Sequence, residues 1–337
     1  MTTVFVSGAT GYIAQHVVKE LVANGYQVVG SVRSAEKGDK LKKLVGSNFS
    51  YEIVKDIQIE GAFNEALKRH PEVTVFLHTA SPFHFKTTEP EKDLLIPAVN
   101  GTKNALSAVH KFAPQVKNVV ITSSYAAIAP ASKEVDNTAT ISETTWNDVT
   151  WEDATKDPVT GYRGSKTFAE KAAWEFVEVE KPNFILSTVN PVFVFGPQAF
   201  DSEVKDTLNT SAEIINALLK LSPDDEIPFF RGAYVDVRDV AKAHLTAFEN
   251  KGAENSRLLL ADGRFVTQNI VDILLENFSQ LRGKIPIGEP GRGSDVESKL
   301  AKIDNEKTKK LLGFELIDLK KTVLDTVQQV LDVKGTI

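Results

Sequence analysis

Tyr162 and Lys166 stand four residues apart in Tyr162-Arg163-Gly164-Ser165-Lys166, so on a helix the phenol and the ammonium project to one side. A phenol with a pKa of about 10 exchanges protons poorly near neutrality, and a fixed cation beside it stabilises the phenolate. Such a pair can protonate an alkoxide. The same spacing also suits a plain surface Tyr with a nearby Lys, so the reading depends on what positions the two groups. The motif is read as opening a helix, 38 residues after Ser124, which follows Thr122-Ser123 at the end of an aliphatic run. A hydroxyl cluster there sits at the carboxyl edge of a strand, where open α/β sheets bind ligands.

A second constellation begins the chain: Val4-Phe5-Val6-Ser7-Gly8-Ala9-Thr10-Gly11-Tyr12-Ile13-Ala14. Gly8 and Gly11 lack a Cβ, so backbone N–H groups can close on a pyrophosphate while the following helix directs its N-terminus at the charge. Ala14 lets helix and strand approach. Gly8, Thr10, Gly11, Tyr12 and Ile13 are thus candidate dinucleotide contacts; the alternative is an ordinary strand-to-helix turn. After the next strand, Gly30-Ser31-Val32-Arg33-Ser34 offers no acid to accept from ribose hydroxyls. Arg33, Ser34 and Lys37 instead suit a 2′-phosphate, favouring NADPH, unless the cations are merely charges on a solvated helix.

The elements that must hold these groups alternate. Strands are read at Thr3–Val6, Gln27–Val32, Ser50–Val54, Val73–His78, Asn118–Thr122 and Phe184–Val189, with Arg257–Ala261 as one more. Helices are read at Gly11–Ala23, Ala35–Leu44, Glu60–Lys68, Glu91–Phe112 with a break or kink at Pro97, and Gly164–Glu180. Tyr125–Thr160 is irregular. Past Asn190-Pro191 the rhythm is lost, with helices at Thr210–Leu221, Val237–Glu249 and Leu319–Leu331 and a loop at Gly283–Gly293. This pattern of aliphatic strands and intervening helices requires a parallel sheet covered on both faces.

Composition narrows the function classes. The 337 residues carry 39 basic and 45 acidic side chains, a balance that lacks the basic footprint of a nucleic-acid binder. With no cysteine there is no disulfide framework and no thiol nucleophile. The six histidines show no paired metal-ligand spacing, so no metal is expected. No apolar run approaches the roughly 20 residues of a membrane span, and no secretory n-region precedes the first strand. The chain reads as unprocessed, not membrane-bound, and cytoplasmic.

In the order Gly8, Ser124, Tyr162, Lys166, the chain resembles the extended short-chain dehydrogenase/reductase family over nearly its whole length. His78–Phe83, Asp93–Thr102, Thr122–Ala127, Tyr162–Lys166 and Asn190–Pro197 are most similar to fungal NADPH-dependent aldehyde and ketone reductases of the methylglyoxal reductase type. Plant dihydroflavonol and cinnamoyl-CoA reductases are similar but more distant. The resemblance implies Tyr162 as general acid, Lys166 on the nicotinamide ribose and lowering the Tyr pKa, Ser124 holding the carbonyl oxygen, and Asn100 in a water-mediated proton relay. It implies Asp56 and Ile57 beside the adenine, Thr79, Ala80 and Ser81 along the cofactor, and Pro191, Val192 and Val194 near the nicotinamide. It further implies Phe83, Phe85, Tyr125, Val159 and Phe193 as an apolar pocket, although each could equally be ordinary core. Ala129, where relatives often carry a larger residue, suggests a roomier pocket.

The resulting expectation is a Rossmann-type doubly wound α/β fold with a smaller C-terminal substrate-binding lobe. Residues 1–190 plus 232–261 would bind NADP(H), and 191–231 plus 262–337 would form the lobe. The expected activity is NADPH-dependent reduction of aldehydes, ketones or diketones to alcohols by a monomer or homodimer. The alternatives are an NAD-dependent sugar-nucleotide epimerase or dehydratase, and a non-catalytic NADPH-sensing protein.

Overall fold

In a computed structural model, which describes residues 2–81 and 86–335, the strands are β1 (Thr3–Ser7), β2 (Gln27–Val32), β3 (Phe49–Ile53), β4 (Val73–His78), β5 (Asn118–Thr122), β6 (Thr140–Ser142), β7 (Ile185–Pro191), β8 (Phe193–Phe195), β9 (Arg231–Asp236), β10 (Arg257–Leu260), β11 (Gly263–Val266) and β12 (Lys302–Asp304). Seven of them form one sheet in the order β10-β7-β5-β4-β1-β2-β3, every pairing parallel. Chain order runs outward in both directions from β1 and β4. A doubly wound sheet leaves a crevice at that reversal, outside the carboxyl ends of the strands.

Both faces are covered. Val17, Val18 and Leu21 of the helix Tyr12–Ala23 pack with Val240 and Leu245 of the helix Val237–Glu249 on one side. On the other, Leu67, Leu106, Val109 and Ala173 from three helices meet Phe5 and Phe76. The Phe5 and Phe76 rings stack at 5.1 Å with Phe63 edge-on to both. Burying one such ring contributes about 1.5–3 kcal/mol.

Several boundaries move, each for a local reason. The helix carrying Tyr162 starts at Pro158, ahead of the expected Gly164, because Asp157 caps it by accepting from the Val159 and Thr160 amides and Pro158 needs no donor at the first position. Tyr162 therefore sits inside the helix instead of opening it. At Pro97 the chain does not break: a wide π-type turn, Glu91–Leu95, leads directly into the helix Ile96–Phe112, since Pro97 has no N–H for the preceding turn. The helix expected at Glu60–Lys68 shrinks to Asn64–Arg69, with Gly61 at φ 77° in the turn before it.

The C-terminal part holds strands that periodicity did not reveal. β11-β9-β8 form a second sheet around Phe195, Ile215, Phe265, Ile270, Leu274 and Val327. They are short, and their partners are distant in sequence. β6 pairs with β12, pinning the long irregular segment after Ser124 to residues 302–304.

Candidate active site

Ser124 follows β5 and caps a short turn by accepting from the Ala126 amide at 3.1 Å. The Tyr162 hydroxyl donates to Ser124 Oγ at 3.3 Å, so the strand end and the helix bring the two hydroxyls together as their types and order suggested. Burial raises the Tyr162 phenol above its ordinary value, while the Ser124 hydrogen bond and the Arg163 charge pull it back. A phenol so placed carries its proton at neutral pH. Burial pushes Lys166 down to about 8, opposed by the carboxylate of Glu170 one turn further on. Across the crevice His78 is driven to about 3, first by burial and then by the Lys166 charge, and shares a hydrogen bond with Ser7 Oγ at 2.9 Å.

The crevice between β1 and β4 is lined by the first turn. Gly8 adopts φ 66°, and a Cβ there would lie 2.9 Å from that of Ala80, so only glycine lets the two strand exits meet. The Gly8 amide donates to Ser31 Oγ, the Ala80 amide to Ser7 Oγ, and Thr79 Oγ1 to the Ser7 carbonyl. Gly11 begins the helix Tyr12–Ala23 without any side-chain cap. Its first-turn amides, including that of Ile13, are therefore positioned to receive an anion. The Tyr12 hydroxyl is engaged elsewhere, donating to the Gly196 carbonyl at 2.8 Å. Arg33 and Lys37 are exposed beyond β2, where Ser34 caps the next helix through the Lys37 amide. Asp56 is exposed and accepts from the Gln58 amide, and Ile57 lies against Gly101. These residues fit a dinucleotide: a glycine cradle, an uncapped helix start, and cations without a competing acid at the end of β2.

A cavity of about 300 Å³ opens beside the two hydroxyls. Ser124, Tyr125, Tyr162, Val159, Pro191, Val192 and Phe193 line it, Val159 and Phe193 remaining partly exposed at its mouth. One expectation, at Ala129, needs correction, and two other positions stand as follows. Asn100 is exposed and borders a separate surface depression with Lys103, Asn104 and Glu175. Val194 is buried in the core cluster that also holds Val17 and Val18 of the first helix, while its neighbours Val192 and Phe193 line the cavity. Ala129 is fully buried among Ile128, Ile141, Leu259 and Ala301, and thus does not set the pocket's width. Phe83 and Phe85 lie outside the described residues.

Sequence reasoning missed the charged wall. Arg163, Glu134, Arg231 and Arg264 also line the cavity. Arg163 pairs with Glu134 at 3.1 Å and donates to the Ala129 carbonyl, while Arg264 donates to the Glu297 and Ala301 carbonyls. Arg163 could have been suspected from its place in the Tyr-Lys motif. The others come from segments with no periodic signal. Among the described residues, no cluster of three or more His, Cys, Asp or Glu could hold a metal, and no helix is long and apolar enough to cross a membrane.

Comparison with known proteins places this geometry. A model of the NAD dependent epimerase/dehydratase family matches residues 4–260. A putative NADPH-dependent methylglyoxal reductase of Candida albicans is 55% identical over 98% of both chains. The NADPH-dependent methylglyoxal reductase of Saccharomyces cerevisiae is 50% identical, covering 99% of this chain and all of that one. The crystal structure of a yeast methylglyoxal/isovaleraldehyde reductase complexed with NADPH is 49% identical and matches over 100% of both chains with a TM-score of 0.97.

Proposed function

Because the chain belongs to the NAD dependent epimerase/dehydratase family, we propose that within it this protein is an NADPH-dependent carbonyl reductase that converts aldehydes, ketones or diketones to alcohols. The observation that carries the reading is the Tyr162–Ser124 hydrogen bond at the edge of a mostly apolar cavity beside Pro191 and Val192. Ser124 Oγ already accepts from Tyr162 and from the Ala126 amide, which leaves its own O–H to donate to a carbonyl oxygen in the cavity. Tyr162, held protonated by burial, then gives that oxygen its proton as negative charge develops on it.

NADPH, when bound, supplies the hydride; the protein's share is placement and proton delivery. Gly8, Gly11 and the first-turn amides would hold its pyrophosphate, Arg33 and Ser34 its 2′-phosphate, and Lys166 the ribose next to the nicotinamide. Ser124 is followed by Tyr125 and Ala126, so the acid that a dehydratase needs beside the serine is missing. The cytoplasm is the compartment we assign, and a monomer or homodimer the form, with residues 1–190 plus 232–261 binding the cofactor and the remainder shaping the substrate side.

The test follows NADPH absorbance at 340 nm with methylglyoxal, branched aldehydes and diketones, then UDP-sugar turnover without net cofactor change. Carbonyl-dependent NADPH oxidation is the expected result. Sugar-nucleotide interconversion in its absence would overturn the reading in favour of an epimerase.

A further inference from the structure

Behind the reactive hydroxyls lies a charged network with no part in the roles given above. Glu170 follows Lys166 by four residues and Tyr162 by eight, on the same side of the helix Pro158–Glu180. Its carboxylate is completely buried. Oε1 accepts from Arg257 Nε at 2.6 Å, from Trp174 Nε1 at 3.3 Å and from Thr188 Oγ1 at 3.4 Å. Oε2 accepts from Asn190 Nδ2 at 2.6 Å and from Ser123 Oγ.

The same Asn190 amide donates to the Ser124 carbonyl at 3.1 Å. Arg257, on the edge strand β10, donates to the carbonyls of Ala127, Glu143 and Thr145 and lies 3.8 Å from the Trp146 ring centre. One carboxylate thus ties down the residue before Ser124, the Ser124 carbonyl, and, through Arg257, the segment that leads from Ser124 towards Tyr162.

As glue alone, an interior ion pair is a poor choice, since well-packed apolar replacements are often as stable or more so. What a neutral substitute lacks is negative charge one turn from Lys166. Glu170 is the group whose charge draws the proton towards Lys166 against the effect of burial. Of the other titratable groups around Lys166, His78 at the end of β4 is neutral, Tyr162 shares its helix, and Arg257 is paired with Glu170.

We propose that Glu170 is a positioning residue for the reduction: it fixes Ser124 through Ser123 and Asn190 and sets a carboxylate, paired with Arg257, one helical turn from Lys166. The proposal rests on the roles assigned to Ser124, Tyr162 and Lys166 under the reductase reading.

The experiment is the pH profile of kcat/KM for methylglyoxal reduction with NADPH. In Glu170→Gln, which keeps the side-chain shape without its charge, the alkaline limb moves to lower pH by about one unit. Glu170→Asp, which keeps the charge, leaves the limb near its wild-type position. The double variant E170Q/R257M, with neither charge left unpaired, guards against misfolding of the single variant and shows the same shift. A limb at the wild-type pH in E170Q or the double variant, whatever the melting temperature, would overturn the proposal and make the pair purely structural. Tyr162→Phe run in parallel separates the two failures. If it retains turnover, the site reading fails; if it is inactive and the E170Q limb is unmoved, only this inference falls.

Discussion

The two sides of the cavity are built by opposite means. Ser124, Tyr162 and Lys166 stand on a strand end and a 23-residue helix, largely buried and backed by the Glu170–Arg257 pair. The facing wall comes from β8, β9, the start of β11 and the segment around Leu300, and Phe193 there is 39% exposed. Groups on rigid, buried elements keep the geometry that proton transfer needs, whereas short strands and loops can change shape to admit different carbonyl substituents. Chemistry should therefore fail when the first side is altered, and substrate choice should drift when the second is.

Substitutions can sharpen or break that contrast. Tyr162→Phe removes the proton donor and should lower kcat/KM roughly 10³-fold in steady-state NADPH oxidation. Ser124→Ala removes the donor to the carbonyl oxygen and the acceptor for Tyr162, for a loss in kcat of roughly 10²-fold. Arg33→Ala acts away from both walls: it should raise the KM for NADPH about tenfold while leaving the weaker use of NADH unchanged. Phe193→Ala, on the adaptable side, should alter the KM for bulky ketones only about threefold, with kcat retained, as expected when uniform binding is lost. A Phe193 variant that lost turnover as severely as Ser124→Ala would erase the distinction.

How far the sequence reveals this molecule follows the same division. The parallel sheet was legible because most of its strands are rich in Val, Ile, Leu or Phe and alternate with helices, and β2 and β4 have the very boundaries read from the sequence. Ser124 and Tyr162 were legible because their spacing and order carry meaning without the fold. Glu170 was missed although it extends the four-residue spacing of Tyr162 and Lys166, because a lone buried acid announces nothing until Arg257, 87 residues away, is seen beside it. Ala129 was misplaced for a related reason: resemblance gives a position along the chain, whereas the inside of a turn is settled by packing. Ala129→Phe would not narrow the cavity but would overpack the cluster with Ile141 and Leu259, at a cost of about 1–3 kcal/mol.

The proton-delivery claim is tested most directly by measuring NADPH affinity and single-turnover methylglyoxal reduction together in the Tyr162→Phe protein. The account predicts an NADPH Kd within about twofold of wild type and a turnover step slower by roughly 10³-fold. A turnover rate equal to wild type at saturating NADPH would contradict it.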